Sequence, residues 1–450
     1  MARLYAGQGN LAKAAEYGEL ALKAPGAYPN PALIQTELHV AEPRLWDIDD
    51  PYLYRVTVRV CPENAPAETD ETSVRCGFRD FRFADGAFRL NGRRLYLRCS
   101  HTGNEWPVGV HLPGNPDLAR RDLLNGKVMG FNMVRFIAGV ALRYQLDLCD
   151  EIGLMVYEEP YAAWCLAESP EMGRRYDTSL LGMVRRDRNH PCVTLWGMLN
   201  ETPDGPLFRY VAGRLPALRA LDETRLVLLN SGQWDRHKQP AGQAQPPVGC
   251  VGNPGSAVWE DVLSDQHPYQ RVPHTAAVIR TLREYGRGGM PLFLSEYGIG
   301  SGVDLVRLCR HFERLGKAGA DEARFFAGNR DRFLQDWERW RLAEVFGRPE
   351  DYFAQIIAKM AEQRLLGLNA IRANPVCIGH SLTGFIDHGL SGEGLTTVFR
   401  EMKPGTVDAL YDGWAPLRWC LFAEPVNVSR GGRVHLEAVL ANEDALRPGT

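Results

Sequence analysis

The chain has 450 residues, 45% hydrophobic and 24% charged, with a formal net charge of −3, a make-up that suits a globular protein with room for more than one core. Lys and Arg are spread evenly, so there is no basic footprint for nucleic acid or an anionic membrane surface. No run of about 18 apolar residues supplies a membrane span, so neither a nucleic-acid nor a membrane partner is expected.

Residues 1–32 are rich in Ala and Leu and predict a helical lead-in. "GNLAKAAEYGELALKAP" looks like one tetratricopeptide-like helix pair, and a single such unit cannot bury its own apolar face. No apolar core of a signal peptide stands there, so the compartment stays open, with the cytoplasm as default. Over 33–76 the pattern turns to period two in "LIQTELHV" and "YLYRVTVRV", with turn chemistry in "CPENAPAETDE". That predicts antiparallel strands with one wet face, part of a β-sandwich.

From 77 to 424 short apolar strands alternate with amphipathic helices, the mark of repeated βα units. "PDLARRDLLNGKVMG" predicts a helix with Asp117 near its start and Gly130 at its end, and "ALRYQLDLCDEIG" repeats the plan, closing at Gly153. Strands are expected within "RRLYLRCSH", "FNMVRF", "LMVYEE", "CVTLWGMLNE", "TRLVLLNS", "DVLSDQHPY", "PLFLSEYG" and "IGHSLTGFID". Eight units of this kind close into a (β/α)8 barrel, an α/β fold. Residues 425–450 read as the start of a further β domain.

In such a barrel the carboxyl-terminal strand ends form the active-site face. They bear His101, Arg135, Glu158, Glu159, Asn200, Glu201, His267, Tyr269 and Glu296, with Asp387 near the end of the eighth. Two carboxylates on different strands suit glycoside hydrolysis, which needs a protonated acid beside the leaving oxygen and an ionised carboxylate below the anomeric carbon. Glu201 and Glu296 are the natural pair. Glu201 is assigned as acid/base, because Asn200 beside it can hold a sugar hydroxyl, and Glu296 as nucleophile. A separation of about 5 to 5.5 Å would permit direct attack with retention, and carboxyls that close titrate apart. Tyr269 can donate to Glu296 and keep it oriented.

Other residues admit two readings. Arg135 is either the structural counter-ion of the carboxylates or the group that lowers the nucleophile's pKa directly. His101 and His267 are either core histidines or contacts of the sugar. Glu159 and Trp164 either bind substrate or pack a loop. His190 precedes its strand and is expected at the opposite end of the barrel. The aromatic stretch "RDRFLQDWERWRLAEVFG" fits helix packing better than a subsite. The ten cysteines form no C-x-x-C pair and read as buried thiols. No set of His, Glu and Asp has convincing ligand spacing, so neither a metal nor a cofactor is expected.

The segments "LWDIDDPYLYRVTV", "CGFRDFRFADGAFRLNGRRLYLRCSH", "CDEIGLMVYEE", "RDRNHPCVTLWGMLNE" and "FLSEYG" together resemble glycoside hydrolase family 2, the β-galactosidases, β-glucuronidases and β-mannosidases. The resemblance runs from about residue 38 to 425 in the right order. It implies a retaining double displacement with Glu201 as acid/base and Glu296 as nucleophile. It also implies that the early strands are the tail of an immunoglobulin-like domain, and that the chain is a fragment lacking the N-terminal sugar-binding domain. Trp164 or Trp414 would supply the aromatic platform usual in the eighth strand. The substrate would be a carbohydrate with a terminal β-linked sugar, most simply a β-galactoside; an endo-acting β-glycanase and an inactive carbohydrate-binding remnant are the alternatives. A glucuronidase needs a cation for the substrate carboxylate, and the Asn125 to Lys127 match lies in a helix away from the mouth. Oligomeric state is not legible.

Overall fold

The computed structural model describes residues 38–60, 69–102, 104–161, 166–232, 249–286 and 289–446. The helical lead-in expected over 1–32 and Trp164 lie outside the described residues. Strands β1 (Tyr54–Val60) and β2 (Asp70–Cys76) form an antiparallel ladder with Tyr54 opposite Cys76. The strand expected over "LIQTELHV" is not formed at its described end, residues 38–40. Downstream of it, Trp46 is fully buried and its indole N–H donates to Asp150 O at 2.8 Å. That bond pins the incoming chain to the helix Arg143–Ile152.

Strands β3 (Phe81–Ala84), β4 (Ala87–Leu90) and β5 (Arg93–Leu95) make a small antiparallel sheet. Its inner face is aromatic: Phe88 stacks on Phe81 at 5.9 Å and meets Phe293 edge-on at 5.5 Å. Phe293 is near the start of its strand, so this sheet plugs the amino-terminal end of the strand bundle. Asn253 fastens the plug, accepting from Phe83 N at 2.9 Å and donating to Phe83 O at 3.0 Å.

All eight expected βα strands are present. They are β6 (Leu97–Thr102), β7 (Met133–Phe136), β8 (Met155–Glu158), β9 (Val193–Asn200), β10 (Leu226–Ser231), β12 (Ser264–Asp265), β13 (Leu292–Tyr297) and β14 (Cys377–Leu382), with a short β11 (Val251–Gly252) between the fifth and sixth. They form one curled sheet in the order β11-β10-β9-β8-β7-β6-β14-β13-β12, in which only β11 runs antiparallel. Among the described residues no ladder joins β10 to β12. The two edges nevertheless meet, since a Cβ at Gly249 would stand 2.2 Å from Leu263 O. Nearly every residue of these strands is buried, as expected of parallel strands covered on both faces.

Local signals set the helix ends. Helix Pro116–Val128 begins with Asn115 Oδ1 accepting from Asp117 N at 3.0 Å. Helix Arg143–Ile152 stops at Gly153, whose φ of 70° is left-handed and where a Cβ would meet Ile48 O at 2.4 Å. Between β13 and β14 the helices Leu305–Arg314, Asp321–Arg339 and Pro349–Arg372 pack on one another. There Phe333 lies 5.1 Å from Phe353 and 5.7 Å from Trp337, so the aromatic stretch cements helices.

Strands β15 (Leu417–Glu424) and β16 (His435–Asn442) close the described chain as a hairpin, pairing Leu417 with Asn442. This ladder begins upstream of residue 425, where composition alone places the boundary. Seven of the eight described cysteines are buried. No described helix is long and apolar enough to cross a membrane.

Candidate active site

Arg135, at the third position of β7, is fully buried, and every nitrogen of its guanidinium is engaged. Nε and Nη2 reach Glu159 Oε1 at 2.8 and 2.6 Å, and Nη1 donates to Ser295 O at 3.0 Å and Glu296 Oε1 at 3.2 Å. Nη2 also donates to Asn200 Oδ1 and to Ser231 Oγ, both at 2.7 Å. One cation thus ties its own strand β7 to the ends of β8, β9 and β10 and, across the barrel, to β13.

Two predicted substrate contacts are corrected by this arrangement. Arg135 has no donor left for a ligand, and Glu159 is consumed by Arg135 and by Ala138 N at 2.8 Å. Both form the layer beneath the mouth. Asn200 is more than a strand cap: Ser231 Oγ and Arg135 both donate to its Oδ1. Its NH2 makes no hydrogen bond among the described residues and is the group left to donate to a hydroxyl.

Glu296 is buried near the end of β13. Its Oε2 accepts from Tyr269 Oη in a very short contact, and Tyr269 Oη also lies 3.3 Å from Thr383 Oγ1. Burial alone would raise the Glu296 carboxyl, but His267, Arg135, His101 and the Tyr269 hydroxyl together hold it down at about 2. Burial and the adjacent Glu296 charge push the Tyr269 phenol far up, so it remains a donor.

Glu201 follows the last residue of β9 with a left-handed φ of 48°, a conformation that costs a non-glycine residue about 1–3 kcal/mol. Its N–H donates to Ser231 O at 2.9 Å, and its Oε1 lies 2.6 Å from His267 Nδ1. Nδ1 also approaches Glu296 Oε2 at 3.6 Å. One oxygen of each carboxylate and this ring nitrogen all lie within 4.8 Å of one another. A cation could fit so close a set, but the direct bond between Glu201 and His267 already satisfies those donors. On the far side of the ring, His267 Nε2 lies 2.7 Å from Ser295 Oγ, which is 2.5 Å from Asp265 Oδ1.

His101 is buried beside His388 at 5.5 Å, its Nε2 has no partner, and burial lowers it to about 3, so the ring is neutral. Asp387 turns away into a buried pair with Lys403 at 2.5 Å. Glu158 is also withdrawn, accepting from Ala141 N at 2.8 Å. At the opposite end His190 pairs with Asp150 at 2.6 Å, and Lys127 donates to Ile48 O and Gly153 O at 2.6 and 2.8 Å. Trp414 is corrected as a platform: it is buried against Phe131 at 4.6 Å and donates to His380 at 2.8 Å.

Sequence reasoning missed Ser231, Asp265, Ser295 and Glu393. Ser231 and Asp265 end their strands, where the same rule that picked Asn200 would have found them, and Ser295 directly precedes Glu296 within β13. Glu393 lies in a loop, fixed by Ser391 Oγ at 2.9 Å. A Cβ at Gly298 would stand 2.5 Å from its Oε2 and 2.4 Å from the Tyr269 ring, so the missing side chain lets a third carboxyl close on the mouth. Burial pushes that carboxyl up.

Fold and site together define a barrel protein of the βα-repeat type with paired carboxylates at its carboxyl-terminal mouth. The model for "Glycosyl hydrolases family 2, TIM barrel domain" matches residues 81–305 and that for "Glycosyl hydrolases family 2" matches 8–79, so the chain belongs to glycosyl hydrolase family 2. Among curated relatives, a β-galactosidase of Vibrio cholerae is 27% identical over 67% of this chain and 27% of its own length. One from Thermoanaerobacterium thermosulfurigenes is 34% identical over 37% of this chain and 23% of its own. The chain therefore spans about a quarter of the length of these relatives. Of solved structures, a Bacteroides uniformis β-glucuronidase aligns with TM-score 0.58 at 21% identity, covering 85% of this chain and 43% of that one. A family 2 β-galacturonidase of Eisenbergiella tayi aligns with TM-score 0.56 at 20% identity, covering 84% and 61%. At such identities the likeness speaks to the fold.

Proposed function

We propose that this chain carries the catalytic centre of a retaining β-glycosidase. The observation that carries the reading is that one oxygen of Glu201 and one of Glu296 lie within 4.8 Å of each other, with His267 Nδ1 2.6 Å from Glu201 Oε1 and 3.6 Å from Glu296 Oε2, an approach that favours the roughly 5 to 5.5 Å carboxyl separation of retention over the ~6.5–9.5 Å of inversion. Glu296, held ionised by His267, Arg135 and Tyr269, attacks the anomeric carbon. Glu201 gives a proton to the leaving oxygen and then takes one from the water that hydrolyses the glycosyl-enzyme. The Asn200 NH2, the neutral His101 ring and Glu393 are the groups available for sugar hydroxyls.

The names of the curated relatives favour a β-galactoside as the sugar. The domain plan follows the same family logic: residues 33–76 belong to an immunoglobulin-like sandwich, 77–424 to the catalytic barrel, and 425–450 to a further β domain, with its hairpin starting a few residues earlier. A panel of nitrophenyl β-galactoside, β-glucuronide, β-mannoside and β-glucoside tests the activity. Turnover of at least one, lost in Glu296→Gln, supports the reading. Binding of galactose with no turnover of any would favour a carbohydrate-binding remnant.

A further inference from the structure

Behind the carboxylate pair runs a line of polar groups that the double displacement does not itself require. From the mouth inward it is Glu201 Oε1, His267 Nδ1 at 2.6 Å, then Nε2, Ser295 Oγ at 2.7 Å, and Asp265 Oδ1 at 2.5 Å. The His267 side chain, Ser295 and Asp265 are fully buried. We infer that Glu201 and Asp265 are the two ends of a buried proton relay through His267 and Ser295, so that Asp265 as well as Glu201 sets the pH at which acid catalysis is lost. This rests on the reading of Glu201 as acid/base.

The hydrogens follow from counting donors. Ser295 Oγ carries one proton and touches two partners. When Asp265 is ionised, that proton goes to Asp265, so Oγ accepts from an Nε2–H. The neutral ring then offers a lone pair at Nδ1, where Glu201 donates its acidic proton. In the alternative arrangement the Glu201 O–H, Nε2–H and Oγ–H bonds break, while Nδ1–H, Oγ–H and Asp265 O–H bonds form. One proton has moved from Glu201 to Asp265 and one negative charge has moved the other way, with nothing gained or lost.

The surroundings make both ends habitable. Asp265 Oδ2 is buried without a partner, a costly place for an ionised oxygen. Burial raises the group to about 6, against the pull of His267, the Ser295 bonds and Arg135; Tyr157 is its other titratable neighbour. His267 faces Glu201, Glu296, Asp265 and His101, and despite its burial the carboxylates raise its pKa, so the ring can hold the proton as an imidazolium in transit between the two neutral-ring arrangements. Asp265 and Ser295 touch no substrate in this scheme; they are positioning residues that act through His267.

The test compares pH profiles of kcat/KM for a phenyl β-glycoside, whose leaving group needs a proton, and the dinitrophenyl analogue, whose does not. Removing the Asp265 charge weakens the hold on the proton, so in Asp265→Asn the alkaline limb for the phenyl substrate moves down by about one pH unit, a tenfold change in the acid constant. Ser295→Ala shifts it too, and Ser295→Thr, which restores the hydroxyl, returns it. The dinitrophenyl profile stays put. A lower rate with an unmoved limb in Asp265→Asn would overturn the relay. Glu201→Gln separates the two claims: equal losses on both substrates sink the acid/base reading, whereas a loss confined to the phenyl substrate with an unmoved Asp265→Asn limb sinks the relay alone. The 15N resonances of the His267 ring, assigned with His267→Gln, give a readout independent of turnover. Their titration shifts by a similar amount in Asp265→Asn, and an unchanged midpoint contradicts the relay.

Discussion

At the scale of single residues, the two carboxylates have different neighbours, Glu201 the His267 ring and Glu296 also Arg135 and Tyr269. Glu296 is surrounded by donors and cations and is held at about 2. A carboxylate with a depressed pKa is ionised at any pH above that value and loses its charge only as the pH falls through it. Protonation of Glu296, the proposed nucleophile, therefore does not explain a loss of activity between pH 4 and 6, and an acid limb in that range should persist unchanged in Tyr269→Phe. The same variant removes the hydroxyl that orients Glu296, and kcat is expected to fall by roughly 10²-fold. A kcat within a factor of three of wild type would show that Arg135 suffices. Glu296→Gly with azide should form the inverted glycosyl azide, since the small anion enters where the carboxylate stood; no azide adduct from an activated substrate would count against the assignment.

The strand-end rule made most of this legible in advance. Asn200, Glu201, His267, Tyr269 and Glu296 stand at the ends of their strands and are brought together. What was not legible is depth. Arg135 and Glu159 stand at equivalent strand positions, yet their side chains satisfy each other below the mouth. Asp265 and Ser295 are thirty positions apart in sequence, and only the register that sets Asp265 beside Phe293 brings one to the other. Periodicity names the strand but carries no register between strands so far apart.

Among the elements, the aromatic plug of β3, β4 and β5 illustrates packing that composition hides. Its strands are too short to read individually, and the sequence analysis assigned the segment to the barrel as a whole. Phe88 contacts Phe81, Phe83 and Phe293 in one cluster. Phe88→Ala should cost about 3–5 kcal/mol by leaving a cavity the short sheet cannot collapse to fill. Denaturant unfolding measures this, and a loss below about 1 kcal/mol would mean the plug contributes little. The plug is remote from the mouth, so the pH profile of the folded variant should match wild type. Gly153→Ala belongs to the same scale: the left-handed φ and the nearby Ile48 carbonyl make even one methyl group destabilising, by roughly 1–2 kcal/mol.

For the whole molecule, the terminal hairpin raises a question of solubility. Trp419, Leu421, Leu436 and Leu440 share one face through the β15–β16 register, and Trp419 and Leu436 are 58% and 71% exposed. An apolar stripe of this kind promotes association. The double variant Trp419→Lys with Leu436→Lys should lower concentration-dependent light scattering and leave kcat untouched; unchanged scattering would point to another surface. The barrel itself was legible because eight βα units recur with one period, whereas a two-stranded hairpin offers only alternation, which does not say what its outer face meets.

All these scales meet in the proposal that Glu201 and Glu296, with one oxygen of each within 4.8 Å of the other, act on one anomeric carbon by double displacement. Proton NMR of the first-formed sugar, recorded within seconds of mixing enzyme with an aryl β-glycoside, tests that most directly. The β-anomer appearing first, followed by slow mutarotation, is the predicted result. The α-anomer appearing first would contradict the assignment of Glu296 as nucleophile.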